Sequence, residues 1–125
     1  MYFPFRHTIG GNLPMDYMAK LGPYLSDPQK TYAGHNYKFD LKFLHCAGIR
    51  LPEKILDTMI AAHLINEEEK SFGLKQLGDK LLGKGASDES NILEDKLNLF
   101  GFKKSEMYRL PASDVALYAE QDVKL

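Results

Sequence analysis

Cysteine is almost missing from this chain. Cys46 stands alone, so no intrachain disulfide can form. No signal-peptide pattern opens the sequence either, and the two observations together point to a reducing, cytoplasmic setting. No apolar run approaches the roughly 20 residues that cross a bilayer, so no membrane span is expected. Charge of either sign is not in excess: 16 Lys and Arg face 17 Asp and Glu, for a net charge of −1. The chain therefore has no basic arm, which excludes a protein that grips nucleic acid mainly by non-specific phosphate neutralisation. An acidic site with a locally basic rim remains open. Internal repeats and low-complexity tracts are absent as well. What is left is 125 residues, 44% apolar and 26% charged, the composition and size of one globular domain with a single core.

Along the chain, short strand-like and helical stretches alternate. Residues 2–6 (Tyr-Phe-Pro-Phe-Arg) are aromatic and apolar, and Pro4 confines them to an edge or terminal strand. Gly10-Gly11-Asn12 then breaks the chain. Residues 14–25 read as a helix and 30–34 as a short strand. Asn36 is placed to cap a helix that runs to about residue 47 and ends at Gly48. Residues 54–56 form another strand. Residues 58–65 are apolar on nearly every side, which predicts a buried helix, with Asp57 as its N-cap. Leu74, Leu77 and Leu81 make an amphipathic stripe closed by Gly83. Residues 84–95 turn polar and are expected to form a mobile loop. After Pro111, Ser113 can cap a last helix with Asp114 in its first turn, still running at Leu125. This alternation indicates an α/β layer fold, beginning inside a strand and ending inside a helix.

Two carboxylates fall on apolar helix faces. Asp40 shares a face with Phe43, Leu44 and Ala47, and Asp122 continues the stripe Val115, Tyr118, Ala119. Burying a lone carboxylate costs several kcal/mol or forces it to protonate, roughly speaking, so two such residues suggest a shared cation. Mg²⁺ takes oxygen ligands, often one or two carboxylates with phosphate and water. Plainer readings exist. Asp40 sits in a first helical turn, where it suits the helix dipole; Asp122 can be a residue at a frayed end; Asp57 is most simply a cap; Tyr118 can be a core aromatic.

Gly34-His35-Asn36-Tyr37-Lys38-Phe39-Asp40 resembles the second exonuclease motif of the proofreading domain in family A DNA polymerases, the DNA polymerase I type. Tyr118-Ala119-Glu120-Gln121-Asp122 resembles the third motif, Tyr-x-x-x-Asp. Between them, Leu56-Asp57-Thr58-Met59-Ile60-Ala61-Ala62 and Gly73-Leu74-Lys75-Gln76-Leu77 resemble segments found in that family in the same order. The resemblance spans essentially the whole chain, and the tyrosine marks the subclass shared with ribonuclease D-like and Werner-type exonucleases. It implies a ribonuclease H-like fold in which four acidic residues hold two divalent metals, Mg²⁺ or Mn²⁺, roughly 3.5–4 Å apart. By position, Asp40 and Asp122 would be metal ligands, Tyr118 would orient the attacking water, and Asn36 would hydrogen-bond near the terminal nucleotide. The expected substrate is the 3′ end of single-stranded DNA, with a polymerase domain possible in the parent protein. Lys38 and His35 lie in the motif without an assigned role.

One departure stands against the match. The family's first motif, Asp-x-Glu on the first strand, supplies the other two acids, and no Asp-x-Glu lies before Asn36. Residues 2–6 resemble the family's third strand, so the first two strands would precede Met1. The expectation is a partial exonuclease domain over 1–125, marginally stable and nearly inactive alone. A ribonuclease D-like exoribonuclease shares every motif and is the main alternative. A non-catalytic remnant that binds a strand end, and a helical interaction module, are the others. His7, His35, His45 and His63 form no metal-ligand spacing. Lys103, Lys104 and Arg109, with Phe102 and Tyr108, are the one basic and aromatic cluster, able to meet phosphates and bases or simply to form a solvated loop.

Overall fold

The computed structural model describes every residue except Met1, Lys84, Ala86 and Ser87, and for Asp88 and Glu89 the backbone alone. The chain divides into two compact units, Met15–Gly73 and Met1–Pro14 with Leu74–Leu125.

Met15–Gly73 runs α1 (Asp16–Leu25), β1 (Tyr32–Gly34), α2 (Tyr37–Cys46), β2 (Ile55–Asp57) and α3 (Thr58–Ile65). β1 and β2 are parallel, with Tyr32 opposite Ile55, Ala33 opposite Leu56 and Gly34 opposite Asp57. Parallel neighbours need a crossover, and α2 supplies it. The end of α1 is tied to β1 by the Tyr32 hydroxyl, which donates to the Tyr24 carbonyl (2.5 Å) and accepts from the Asp27 amide (2.9 Å). Gly48, at φ 72°, closes α2 as its sequence suggests. The α3 limits also match the sequence reading, but its burial does not. Ile60, Leu64 and Ile65 are 59%, 84% and 85% exposed, although α3 packs on β2 and stacks its His63 ring on Phe72.

The other unit carries α4 (Leu74–Leu82), α5 (Asp88–Leu99), a 3₁₀ helix (Lys104–Arg109) and α6 (Ala112–Asp122). Its core is Leu93, Leu97, Leu110 and Val115, with Tyr2, Phe102, Met107 and Tyr118 packed against them. This corrects the reading of residues 84–95 as a mobile loop. From Asp88 onward they are helical, and Leu93 and Leu97 face inward at the four-residue spacing that places both on one helix face. Lys84, Ala86 and Ser87 of that stretch lie outside the described residues. α6 begins at Ala112 after Pro111, so Ser113 lies inside it rather than capping it, and it closes at Asp122 instead of running to Leu125.

The expected strand at 2–6 is irregular chain. Among the described residues the sheet contains β1 and β2 alone, so this segment has no ladder to join. A polar knot holds it instead. His7 is buried; with its proton on Nδ1 it donates to the Leu110 carbonyl (2.9 Å), and its Nε2 accepts from the Tyr2 hydroxyl (2.6 Å). Asn12 completes the turn, accepting from the His7 amide and donating to the His7 carbonyl, both at 2.7 Å. The architecture is mixed α/β with a two-stranded parallel sheet.

Candidate active site

The Gly34–Asp40 motif begins at the end of β1, and its glycine has a steric reason. A Cβ built on Gly34 would stand 2.5 Å from Cδ2 of Tyr37, so the Tyr37 ring closes over bare backbone. Asn36 takes the left-handed conformation at φ 54° and makes no side-chain cap, which corrects the expectation that it caps α2. The cap comes from Asp57, across the β1–β2 ladder. Its Oδ2 accepts from the Tyr37 amide (2.8 Å), and its Oδ1 accepts from the Asn36 amide (3.0 Å) and the Met59 amide (2.9 Å). One carboxylate therefore starts both α2 and α3, and the sequence reading found half of that role. Desolvation pushes the Asp57 carboxyl up, but the amides of Met59, Tyr37, Asn36 and Ile60 outweigh it and hold the group below its ordinary value.

Asp40 lies one turn into α2, on the face with the exposed rings of Phe39 and Phe43. The face is apolar as read from the sequence, but α2 has no buried residue. Partial desolvation, and secondarily the nearby Asp57 charge, nonetheless raise the Asp40 carboxyl, its own backbone amide opposing them. His35 bridges the same region. Its ring nitrogens meet the Thr58 hydroxyl (3.0 Å) and the Phe72 carbonyl (2.7 Å), a structural role for a residue with no assigned one.

The Tyr118–Asp122 motif is built on α6. Val115 is buried in the core, and Tyr118, one turn on, packs against it. Another turn brings Asp122, at the four-residue spacing that sets its carboxylate near Tyr118. Burial, then the Asp122 charge and hydrogen bond, and last the Glu94 charge push the Tyr118 phenol up to about 12. Tyr118 is thus a protonated donor at any working pH. Lys75, on α4, forms an ion pair with Asp122, and its ammonium lies 4.8 Å from the Tyr118 ring centroid. Lys104 lies 5.4 Å from the same centroid and pairs with Glu94 at 3.4 Å. The structure thus brings Tyr118 and Asp122 together on one helix, and Asn36 and Asp40 together at the start of another. Sequence reasoning missed Lys75 as a partner of the motif, although the segment that carries it had been singled out.

Of the basic and aromatic residues at 102–109, Arg109 and Phe102 are in contact. Arg109 covers the Phe102 ring at 4.3 Å and pairs with Glu106 at 3.1 Å, while Phe100 and Phe102 stack at 5.9 Å. Among the described residues no group of three or more His, Cys, Asp or Glu side chains is gathered for a metal. The donor chemistry of Asp122 still suits one. It is a hard oxygen donor, half-buried, and the Lys75 ammonium already stands at it as a cation would. Nor, among the described residues, is any helix long and apolar enough to cross a membrane.

A family model described as 3′-5′ exonuclease matches residues 6–125. A DNA-directed DNA polymerase of Pseudomonas phage M6 is 32% identical over 131 residues, covering 99% of this chain and 19% of that protein. DNA polymerase I of Chloroflexus aurantiacus is 30% identical over 122 residues, covering 97% of this chain and 12% of that protein. DNA polymerase I of Aquifex aeolicus is 44% identical over 55 residues, 44% of this chain and 9% of that protein. The chain therefore spans less than a fifth of the length of these relatives. No solved structure matches it.

Proposed function

This chain belongs to the 3′-5′ exonuclease domains of the DNA polymerase I type, and from that premise we propose that it contributes to removal of the 3′-terminal nucleotide of DNA. The observation that carries the reading is the Tyr118–Asp122 pair, one turn apart on α6, with a cation held at the carboxylate. In this reading Asp40 and Asp122 are carboxylate ligands of divalent metal, Mg²⁺ or Mn²⁺. When bound, the metals lower the pKa of the attacking water and stabilise the departing 3′ oxygen. Everything else falls to the side chains. Tyr118, kept protonated by its surroundings, donates a hydrogen bond and fixes the orientation of what it touches. Asn36 has its backbone pinned by Asp57, and its exposed side chain, unused in capping, would hydrogen-bond near the terminal nucleotide. Lys104 and Arg109 offer positive charge to a strand, and the neighbouring rings offer stacking.

Proofreading beside a polymerase domain in the cytoplasm is the setting we propose, with single-stranded DNA as the substrate. The names of the relatives, all DNA polymerases, support DNA over RNA. Two of four expected acids are assigned in this sequence, so we propose that the domain is partial and turns over fully only when an Asp-x-Glu strand joins it. The experiment fuses such a strand, taken from the Chloroflexus relative, ahead of the chain. It then follows a 3′-labelled single-stranded oligonucleotide with Mg²⁺ or Mn²⁺. Stepwise loss of 3′ nucleotides is expected, faster on DNA than on matched RNA, falling at least about a hundredfold in Asp122→Ala or Asp40→Ala. Turnover unchanged by Asp122→Ala sinks the reading, and robust turnover of the unfused chain sinks its partial character.

A further inference from the structure

We infer that Lys75 is the resident counter-ion of Asp122, a positioning residue that holds this carboxylate until a divalent cation displaces it. The inference rests on the reading of Asp122 as a metal ligand and adds a residue that the motifs do not contain.

Asp122 sits where a negative charge is poorly placed. It is the last residue of α6, at the end of the helix where the dipole disfavours a carboxylate. Asp114 offers the contrast within the same helix. It lies in the first turn, where the dipole favours it, and pairs with Lys96 at 2.7 Å. Asp122 has no such help from its helix and needs a cation from elsewhere. Lys75 provides it from α4, 47 positions away, so the pair is made by tertiary packing and not by local spacing. Both side chains are partly covered, 24% and 29% exposed, whereas Lys20 and Asp16 pair at 64% each on the surface. Enough water remains at the Lys75–Asp122 pair for the ammonium to leave without a large penalty.

The ammonium also has somewhere to go. It lies 4.8 Å from the Tyr118 centroid, within cation–π range, so it can release the carboxylate and stay on the ring. Lys104, 5.4 Å from the same centroid, is paired with Glu94 at 3.4 Å and not with Asp122. Lys75 and a metal ion thus compete for one carboxylate, and the lysine holds Asp122 beside Tyr118 in the interval.

The test is Mn²⁺ binding by the full chain, read as free Mn²⁺ in electron paramagnetic resonance titrations, without any turnover. Wild type, Lys75→Met, Lys75→Arg, Asp122→Asn and the Lys75→Met/Asp122→Asn double variant are compared. Lys75→Gln replaces Lys75→Met if the latter does not fold, since either removes the ammonium. The expected result is about three- to fivefold tighter Mn²⁺ binding in Lys75→Met, the strength of one partly exposed ion pair. Wild-type affinity should return in Lys75→Arg, and the double variant should lose the gain. A purely structural lysine would not tighten binding when removed. Unchanged or weaker binding in Lys75→Met, with Asp122→Asn still weakening it, overturns the counter-ion role and leaves the metal reading standing. Binding indifferent to Asp122→Asn overturns both.

Discussion

The unit formed by Met1–Pro14 and Leu74–Leu125 buries Leu93, Leu97, Leu110 and Val115 to 4% exposure or less, whereas Met15–Gly73 buries Ile49 alone among its described large apolar side chains. The second unit shows Phe39, Phe43, Leu56, Ile60 and Leu64 more than half exposed. What organises it is polar: a three-residue parallel ladder and the Asp57 carboxylate that starts two helices. Each unit carries one motif. Tyr118 and Asp122 are positioned by apolar packing, Asn36 and Asp40 by backbone amides gathered on one side chain. The two halves should therefore fail in different ways, one by loss of volume and the other by loss of an acceptor.

The sharpest break is expected in the packed half. Leu93 is 1% exposed and central to its cluster, so Leu93→Ala should cost about 3 kcal/mol, through lost burial and the cavity left behind. Thermal unfolding followed by circular dichroism checks this, and a loss below about 1 kcal/mol would deny that this half has a core.

Asp57→Ala should cost about 2 kcal/mol, more than one ordinary cap, because three amides lose their acceptor together. Acid sharpens the contrast. The folded-state pKa of Asp57 is depressed, so its stabilisation is complete above the unfolded value of about 3.9 and is lost as pH falls through the native value below that. Urea midpoints of wild type and Asp57→Asn should thus differ at neutral pH and converge in strong acid. A gap that stays constant down to the lowest pH would mean that the ionised carboxylate is not what holds α2 and α3.

The same contrast explains what the sequence disclosed. The helices at 16–25, 58–65 and 74–82 were legible, the first to within two residues of its start, because Gly, Pro and apolar spacing punctuate the chain there, and Asp57 was readable as a cap because it directly precedes its helix. Its second helix was not, since Tyr37 lies 20 positions away and the tie exists only once β1 pairs with β2. The helix α5 was hidden by composition: the polar run over 84–91 drew attention from Ser90, Leu93 and Leu97, whose three- and four-residue spacing is that of a buried helix face. The exposure of α3 is not legible in its sequence, because periodicity reports which residues could be covered, not whether anything covers them. On α6, Val115, Tyr118 and Asp122 were aligned correctly because a single continuous helix carries all three; the partner lysine lies on another helix and left no local trace.

Gly34→Ala probes the polar half by bulk instead of charge. The added methyl would meet the Tyr37 ring at 2.5 Å, and that ring opens α2, so the ring or the helix start must shift. Overpacking of this kind should cost about 1–2 kcal/mol. The loss should be shared with Tyr37→Ala: the double variant should be less destabilised than the sum of the two singles, since the clash vanishes with the ring. Strict additivity would show that Tyr37 does not close over Gly34.

The smallest effect should come from the most exposed apolar residue of the open half. Leu64 is 84% exposed on α3, so Leu64→Lys removes little buried area, and lysine is as good a helix former as most. Its cost should stay within about 0.5 kcal/mol, as for other surface changes. Leu97→Lys, at a position 2% exposed, should by contrast prevent folding or cost several kcal/mol, on the order of a buried unpaired charge. The pair is decisive because the two substitutions are chemically identical and differ in cover alone. If Leu64→Lys proved as damaging as Leu97→Lys, α3 would have to be covered in solution, and the motif-bearing start of α2 would then rest on a hydrophobic core like that of α6 instead of on the Asp57 carboxylate.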